Sequence, residues 1–172
     1  MKIKDITFHY TDERMVKDLI TITPLSGSIL DAGSGKNKVW FNNLVGEKYE
    51  CELEDGVDYL TQWNKKVNWV IGNPPFHLGW AFLEKSLDIA DTGIAMLGNL
   101  NFLNSTVLPN RLEKIQQKGF YINKIHIVQD KRWFGRYFYV IFTKQKNDFI
   151  SFNTNTYSKL ATTSPNKKRL LK

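Results

Sequence analysis

The sequence has 172 residues, of which 42% are hydrophobic and 13% aromatic, enough for one domain with a packed core and too apolar for a disordered chain. No apolar run approaches the roughly 20 residues that span a bilayer, and no signal pattern follows Met1, so we expect a cytosolic protein without a membrane partner. A single cysteine and three scattered histidines exclude an internal disulfide and give no metal-ligand spacing, so no metal site is expected.

The net charge of +7 is unevenly distributed along the chain. Residues 1–100 carry 10 Lys and Arg against 14 Asp and Glu, whereas residues 101–172 carry 14 against 3. The basic C-terminal part could face a polyanion such as nucleic acid, or it could be a solvated surface that keeps the protein soluble.

The first predicted element is a helix that begins with Thr11 as its N-cap and ends before Pro24. Its apolar residues recur at helical spacing and form one face: Met15, Val16, Leu19 and Ile20.

Short apolar segments then alternate with helical ones. Strands are predicted at 28–31, 49–53, 68–72, 94–97 and 124–128, and helices at 37–44, 79–90 and 109–118. This alternation is typical of an α/β fold with a mostly parallel sheet flanked by helices.

The end of the chain departs from this alternation. The aromatic segment 133–144 is expected to form an antiparallel strand or hairpin at the sheet edge. Residues 1–150 are expected to form one domain, and the polar, basic residues 151–172 a flexible tail.

A glycine turn, Asp31-Ala32-Gly33-Ser34-Gly35, follows the first predicted strand. Glycines there allow a tight turn and a close approach of the backbone to a ligand, and the Asp31 carboxylate can orient loop amides. Ligands of such folds bind outside the carboxyl ends of the strands. The turn alone is equally compatible with a plain connection between a strand and a helix.

An acidic residue, Glu52, ends the second predicted strand about 20 residues later, a spacing that suits hydrogen bonds to a ribose diol. Glu50, Glu54 and Asp55 compete for this role, because strand ends are not fixed to better than about two residues by sequence.

The third predicted strand runs into a corner formed by Asn73-Pro74-Pro75-Phe76. The two prolines fix the backbone direction and remove two N–H donors, so the corner should be stiff and its carbonyls free. This stiffness suggests that something is held in position at the corner.

These motifs, in this order, resemble the S-adenosylmethionine-dependent amino-methyltransferases that act on exocyclic amines of bases. Asn73, Pro74, Pro75 and Phe76 match the catalytic tetrapeptide of that family, and 29–35 resembles its cofactor motif. The resemblance implies a Rossmann-like methyltransferase fold and S-adenosylmethionine as cofactor. It implies cofactor contacts from these residues: Thr11, Asp31, Gly33, Gly35, Glu52, Asp58, Tyr59 and Asn73.

The resemblance favours methylation of adenine N6 in DNA. An RNA methyltransferase acting on adenine N6 or guanine N2, and a non-catalytic nucleic-acid-binding subunit, remain alternatives. The expected nucleic-acid contacts are Lys131, Arg132, Trp133 and Arg136, with Tyr137 and Tyr139 as stacking residues only if exposed. About 25 residues after the last predicted strand are too few for a target-recognition domain, so a specificity subunit or a dimer partner could supply it.

Overall fold

A computed structural model describes residues 11–130 and 135–157. Its helices are α1 (Glu13–Thr21), α2 (Val39–Asn43), α3 (Gly79–Ile89), α4 (Leu100–Thr106) and α5 (Pro109–Gln117). Its strands are β1 (Ile29–Ala32), β2 (Lys48–Cys51), β3 (Val67–Gly72), β4 (Ala90–Asn99), β5 (Tyr121–Asp130), β6 (Tyr137–Thr143) and β7 (Ser151–Tyr157).

The seven strands form one sheet in the order β2-β1-β3-β4-β6-β5-β7. All neighbouring pairs are parallel except β4 with β6 and β6 with β5. The predicted α/β class, a Rossmann-like and mostly parallel sheet flanked by helices, is therefore confirmed. Because β2 and β3 lie on opposite sides of β1, the strand order reverses beside β1, which is where such sheets bind ligands.

The predicted antiparallel strand is β6, but it lies between β4 and β5 rather than at the sheet edge. Six of its seven residues are apolar or aromatic and five are buried, as in strands that are covered on both faces. The edge is taken by β7, which is rich in Asn and Thr and pairs in parallel with β5. Residues 151–157 were expected to begin a flexible tail, and they form this strand instead.

The helix α1 begins one residue later than predicted. Asp12, not Thr11, is the N-cap, and its carboxylate accepts from the Arg14 N–H at 2.9 Å. Aspartate caps a helix as well as threonine does, so the hydroxyl of Thr11 is left for another partner.

Each face of the sheet buries its own apolar cluster. The side of α3 and α5 carries Leu30, Val70, Ile94, Met96, Val140 and Phe142 from the strands. The side of α1 and α2 carries Ile29, Trp69, Ile71, Leu97, Tyr139 and Ile141. Within the described residues, no helix is long and apolar enough to cross a membrane.

The carboxyl ends of β1 and β3 approach each other closely. A Cβ atom on Gly72 would lie 2.6 Å from the carbonyl oxygen of Ala32. Glycine at this position therefore lets the two strands end side by side.

The Gly72→Ala substitution should lower the free energy of unfolding by about 1–3 kcal/mol, the usual cost of adding a methyl group to a packed site. Urea denaturation followed by circular dichroism measures this change. Gly56→Ala is the matched control, because Gly56 also has a positive φ but a Cβ atom there would meet no other atom within 4 Å. An equal loss in both variants would contradict the steric role of Gly72.

Candidate active site

The glycine turn after β1 is held against the end of β2. The N–H groups of Gly33 and Ser34 both donate to the carbonyl oxygen of Cys51, at 3.0 and 3.1 Å. Gly33 and Gly35 have φ values of +71° and +66°, a region that favours glycine. The turn therefore presents bare backbone at the switch point of the sheet.

Glu52 contacts this turn directly, because its Oε2 accepts from the Gly35 N–H at 2.6 Å. Glu50 is occupied elsewhere: it accepts from the Ser34 hydroxyl at 2.6 Å and pairs with Lys38 at 2.5 Å. Lys38 also pairs with Asp55 at 2.9 Å. Of the competing acidic residues, Glu52 is thus the one that lies against the glycine turn without a bound cation.

The carboxyl of Asp31 is completely buried at the end of β1. Its Oδ2 accepts from the Phe41 N–H at 2.9 Å, whereas its Oδ1 is buried without a hydrogen-bond partner among the described residues. The pKa of Asp31 is raised to about 7, mainly by burial; the hydrogen bond from Phe41 acts in the opposite direction, and the nearby carboxylates of Glu50 and Glu52 contribute to the rise. An unpaired buried carboxyl oxygen is a group that a cationic ligand would stabilise.

Asn73 follows β3, and the two polar atoms of its side-chain amide, Nδ2 and Oδ1, have different surroundings. Its Nδ2 donates to the hydroxyl of Thr11 at 3.2 Å, across 62 residues of sequence. Its Oδ1 is buried and has no partner in the described part of the chain. Pro74 is buried, and no described N–H donates to its carbonyl oxygen. The corner therefore holds two hydrogen-bond acceptors to which no group of the described residues donates.

The ring of Phe76 lies at the surface of this corner, with 37% of the residue exposed. It contacts the ring of Tyr137 at a centroid distance of 5.6 Å and an angle of 45°. The carbonyl of Pro75 accepts from the Leu78 N–H at 2.8 Å, which turns the chain into α3. The ring of Tyr137 therefore packs against the ring of Phe76.

Asp58 and Tyr59, which the resemblance places beside the cofactor, both have hydrogen-bond partners within the protein. Tyr59 is only 3% exposed, and its hydroxyl hydrogen-bonds with the Ser86 hydroxyl at 2.6 Å, so its side chain belongs to the core. Asp58 accepts from the Leu60 N–H and the Thr61 hydroxyl, at 2.9 and 2.8 Å. Asp58 thus stabilises the local turn and Tyr59 the core, and among the described residues neither side chain hydrogen-bonds to the glycine turn.

The expected nucleic-acid contacts lie only in part within the described residues. Lys131, Arg132 and Trp133 fall outside them. Arg136 is exposed beside Tyr137, at the same edge of the sheet as the corner. Tyr137 is only 5% exposed, and Tyr139 is fully buried and stacks on Trp40 at 5.6 Å, so neither ring meets the condition of exposure for base stacking.

Sequence reasoning missed Leu53 as a surface residue of this site, and it missed the contact of Tyr137 with Phe76. Leu53, directly after Glu52, is 69% exposed, an unusual position for leucine. Tyr137 supports Phe76 although 61 residues separate them. An apolar residue after an acidic strand end is a weak local signal for Leu53, and no local signal exists for the contact of Tyr137.

One cavity lies away from the candidate site, and the described residues contain no metal-binding cluster. A cavity of about 530 Å³ opens at the other end of the strands, away from the carboxyl ends of β1 and β3. Its lining includes Trp69, Asn123, Lys124 and Lys144. In residues 11–130 and 135–157, no group of three or more His, Cys, Asp or Glu side chains could hold a metal ion.

The sequence matches no protein-family model, and no curated protein matches it. Solved structures do match the fold. One is a dimethyladenosine transferase from Plasmodium falciparum, with a TM-score of 0.59, 10% identity and coverage of 78% of this chain and 62% of that chain.

Two further matches extend the range of substrates. The modification subunit of a candidate type I restriction enzyme from Vibrio vulnificus has a TM-score of 0.57 and 15% identity, and covers 91% of this chain and 48% of its own. Magnesium protoporphyrin IX methyltransferase from Synechocystis, solved with bound S-adenosylmethionine, has a TM-score of 0.53, 14% identity and 77% coverage of both chains. The chain spans less than two thirds of the length of the first two proteins, and these likenesses show a methyltransferase fold.

The raised pKa of Asp31 predicts how stability depends on pH. Between about pH 4 and pH 7 the folded protein keeps a proton that the unfolded chain has released. Stability should therefore fall as the pH rises through this window. Asp31→Asn keeps an acceptor for Phe41 and cannot ionise, so its profile should be flatter.

Urea denaturation of the free protein at half-unit steps from pH 4.5 to pH 8 measures this difference. Glu54→Gln is the matched control, because Glu54 is exposed and should leave the slope of the profile unchanged. The same slope in wild type and Asp31→Asn would contradict the assignment.

Proposed function

We propose that this protein transfers a methyl group from S-adenosylmethionine to an exocyclic amine of a nucleic-acid base, with adenine N6 in DNA as the first substrate. The observation that carries the proposal is the pair of free acceptors, Asn73 Oδ1 and the Pro74 carbonyl, beside the glycine turn. The methyltransferase fold of the matched structures supports the reaction class.

The residues at the switch point fit the cofactor. The bare backbone of Gly33 and Gly35 allows close approach, and the Glu52 carboxylate can accept hydrogen bonds from ribose hydroxyls. The buried Oδ1 of Asp31 has no hydrogen-bond partner among the described residues, and the ionised carboxylate would favour a cationic molecule nearby. The exposed Leu53 offers an apolar surface for an adenine ring. The bound cofactor supplies an electrophilic methyl group on a sulfonium.

The corner would orient the amine. An exocyclic amine on an aromatic ring is a poor nucleophile, because its lone pair is delocalised into the ring. When its two N–H groups donate to Asn73 Oδ1 and to the Pro74 carbonyl, the lone pair is directed away from both oxygens and can face the methyl group. The same two acceptors stabilise the positive charge that develops on the nitrogen as the N–C bond forms, and the nitrogen then releases one of its protons to solvent.

Phe76 would stack on the base, and Tyr137 holds the Phe76 ring in place. A base that reaches this pocket must be single-stranded or flipped from its duplex, which costs a few kcal/mol that stacking partly offsets. The site thus combines positioning and electrostatics and requires no covalent intermediate.

A second candidate substrate is an amine of RNA, adenine N6 or guanine N2. The match to a dimethyladenosine transferase favours it, and the corner accepts either amine. The match to a modification subunit favours DNA and a partner that recognises the target. Labelled methyl transfer to DNA, RNA and free nucleosides, followed by nucleoside analysis, distinguishes these substrates.

The Asn73→Ala variant should lose about 10²–10³ in the rate of methyl transfer, the usual cost of one preorganised acceptor. Phe76→Ala should lose about 1–3 kcal/mol of base binding, as expected for one stacking partner. Single-turnover transfer at saturating cofactor measures the rates, and calorimetry checks that S-adenosylmethionine still binds. Asn64→Ala, at an exposed position, is the control. Turnover near that of wild type in Asn73→Ala would contradict the mechanism.

A basic side chain near the candidate site should contribute more to nucleic-acid binding than one at the other end of the sheet. Arg136 lies at the edge of the corner, whereas Lys146 is exposed beyond the other end of β6. Arg136→Glu should weaken binding of single-stranded DNA or RNA and reduce its salt dependence, while Lys146→Glu should have a smaller effect. Fluorescence anisotropy at several salt concentrations measures both. Equal effects would show that the charge acts only through the net charge of the protein.

A further inference from the structure

The hydroxyl of Thr11 is bonded to the side chain of Asn73, at 3.2 Å from Nδ2. Thr11 lies just before α1, and the helix is capped by the next residue, Asp12. The hydroxyl is therefore not required for the helix end. The segment before α1 thereby contacts the corner directly.

Asn73 needs such a contact because the fold fixes its backbone but not its amide. Gly72 packs against the Ala32 carbonyl on one side of Asn73, and Pro74 is buried on the other. The terminal torsion of an asparagine remains roughly two-fold, so rotation by about 180° exchanges Oδ1 and Nδ2. Hydrogen bonds decide between these two orientations; a threonine hydroxyl can donate or accept, and in the structure the Thr11 hydroxyl accepts from Nδ2.

The orientation of the amide decides what the corner can bind. With Nδ2 donating to Thr11, Oδ1 is the free group and can accept from an amine. With the opposite orientation, two N–H donors would face the two N–H donors of the amine. The second arrangement opposes the proposed reaction.

We propose that Thr11 is a positioning residue, whose hydroxyl accepts from Nδ2 of Asn73 and so keeps Oδ1 directed at the substrate amine. This role replaces the cofactor contact that the sequence resemblance implies for Thr11. The proposal rests on the proposed methyl transfer. A positioning role can be distinguished from a cofactor contact, because loss of the Thr11 hydroxyl would then lower the rate of methyl transfer at saturating cofactor and leave cofactor affinity unchanged.

The first test compares Thr11→Val, which is nearly isosteric, with Thr11→Ser, which keeps the hydroxyl. Thr11→Val should reduce single-turnover methyl transfer at saturating cofactor by roughly five- to tenfold, the value of one neutral hydrogen bond. Thr11→Ser should retain most of the wild-type rate. Calorimetry should show the same S-adenosylmethionine affinity in wild type, Thr11→Val and Thr11→Ser. Thr21→Val is the control, because the Thr21 hydroxyl bonds to the Lys17 carbonyl within α1.

The second test is a double-mutant cycle with Asn73→Asp. A carboxylate has two equivalent oxygens, so it presents an acceptor to the substrate in either orientation. Thr11→Val should therefore cost at least fivefold less in the Asn73→Asp background than in the wild-type background. An equal loss in both backgrounds would show that Thr11 is only structural, and this result would overturn the proposal.

The third test needs no activity and judges the hydrogen bond itself. Nitrogen-15 NMR should show one Asn73 side-chain amide proton shifted downfield in wild type and Thr11→Ser, and moved upfield in Thr11→Val. Asn73→Asp identifies these signals because it removes them. An unchanged amide signal, unchanged turnover, or weakened cofactor affinity with an unchanged maximal rate in Thr11→Val would each overturn the proposal. A wild-type protein that methylates no nucleic acid would refute the proposed function, and the NMR result would still decide the geometry.

Discussion

The candidate site depends on the contact between the carboxyl ends of β1 and β3. Gly72 lies so close to Ala32 that any side chain would meet the Ala32 carbonyl oxygen, and the register pairs Asp31 with Ile71. The glycine turn after β1 and the corner after β3 must then lie side by side. Residues suited to hold a cofactor and residues suited to orient an amine share one edge because the backbone places them there.

Local sequence patterns predicted what depends on neighbouring residues. The α/β class, the glycine turn and the proline corner follow from apolar spacing and from the torsion limits of glycine and proline. The position of β6 inside the sheet, the strand β7 and the burial of Tyr59 were not predicted, because each depends on a partner distant in sequence. In β6 the unbroken apolar run was a signal for a central strand, and its aromatic content was interpreted as an edge instead.

Part of the charge split along the sequence is cancelled in space by ion pairs between the two parts of the chain. Lys114 pairs with Glu84 and Lys118 with Asp88, at 2.8 Å in the second pair, so basic residues of the C-terminal part neutralise acidic residues of the N-terminal part. Exposed pairs of this kind add little stability, but they cancel the local field. The net charge of a segment therefore does not locate a binding surface. The position of each exposed basic side chain relative to the candidate site is the better guide.

The fold does not decide the substrate, since the matched structures include enzymes named for adenosine and for a porphyrin. The chemistry of the corner is more restrictive. Two free acceptors, Asn73 Oδ1 and the Pro74 carbonyl, favour a group that offers two N–H donors. A hydroxyl offers one donor, and a carboxylate would place its oxygens against both acceptors, which is repulsive. A primary amine on a flat ring would satisfy both acceptors and could stack on the exposed face of Phe76, so the two acceptors favour the base amine of the proposed function over these other groups.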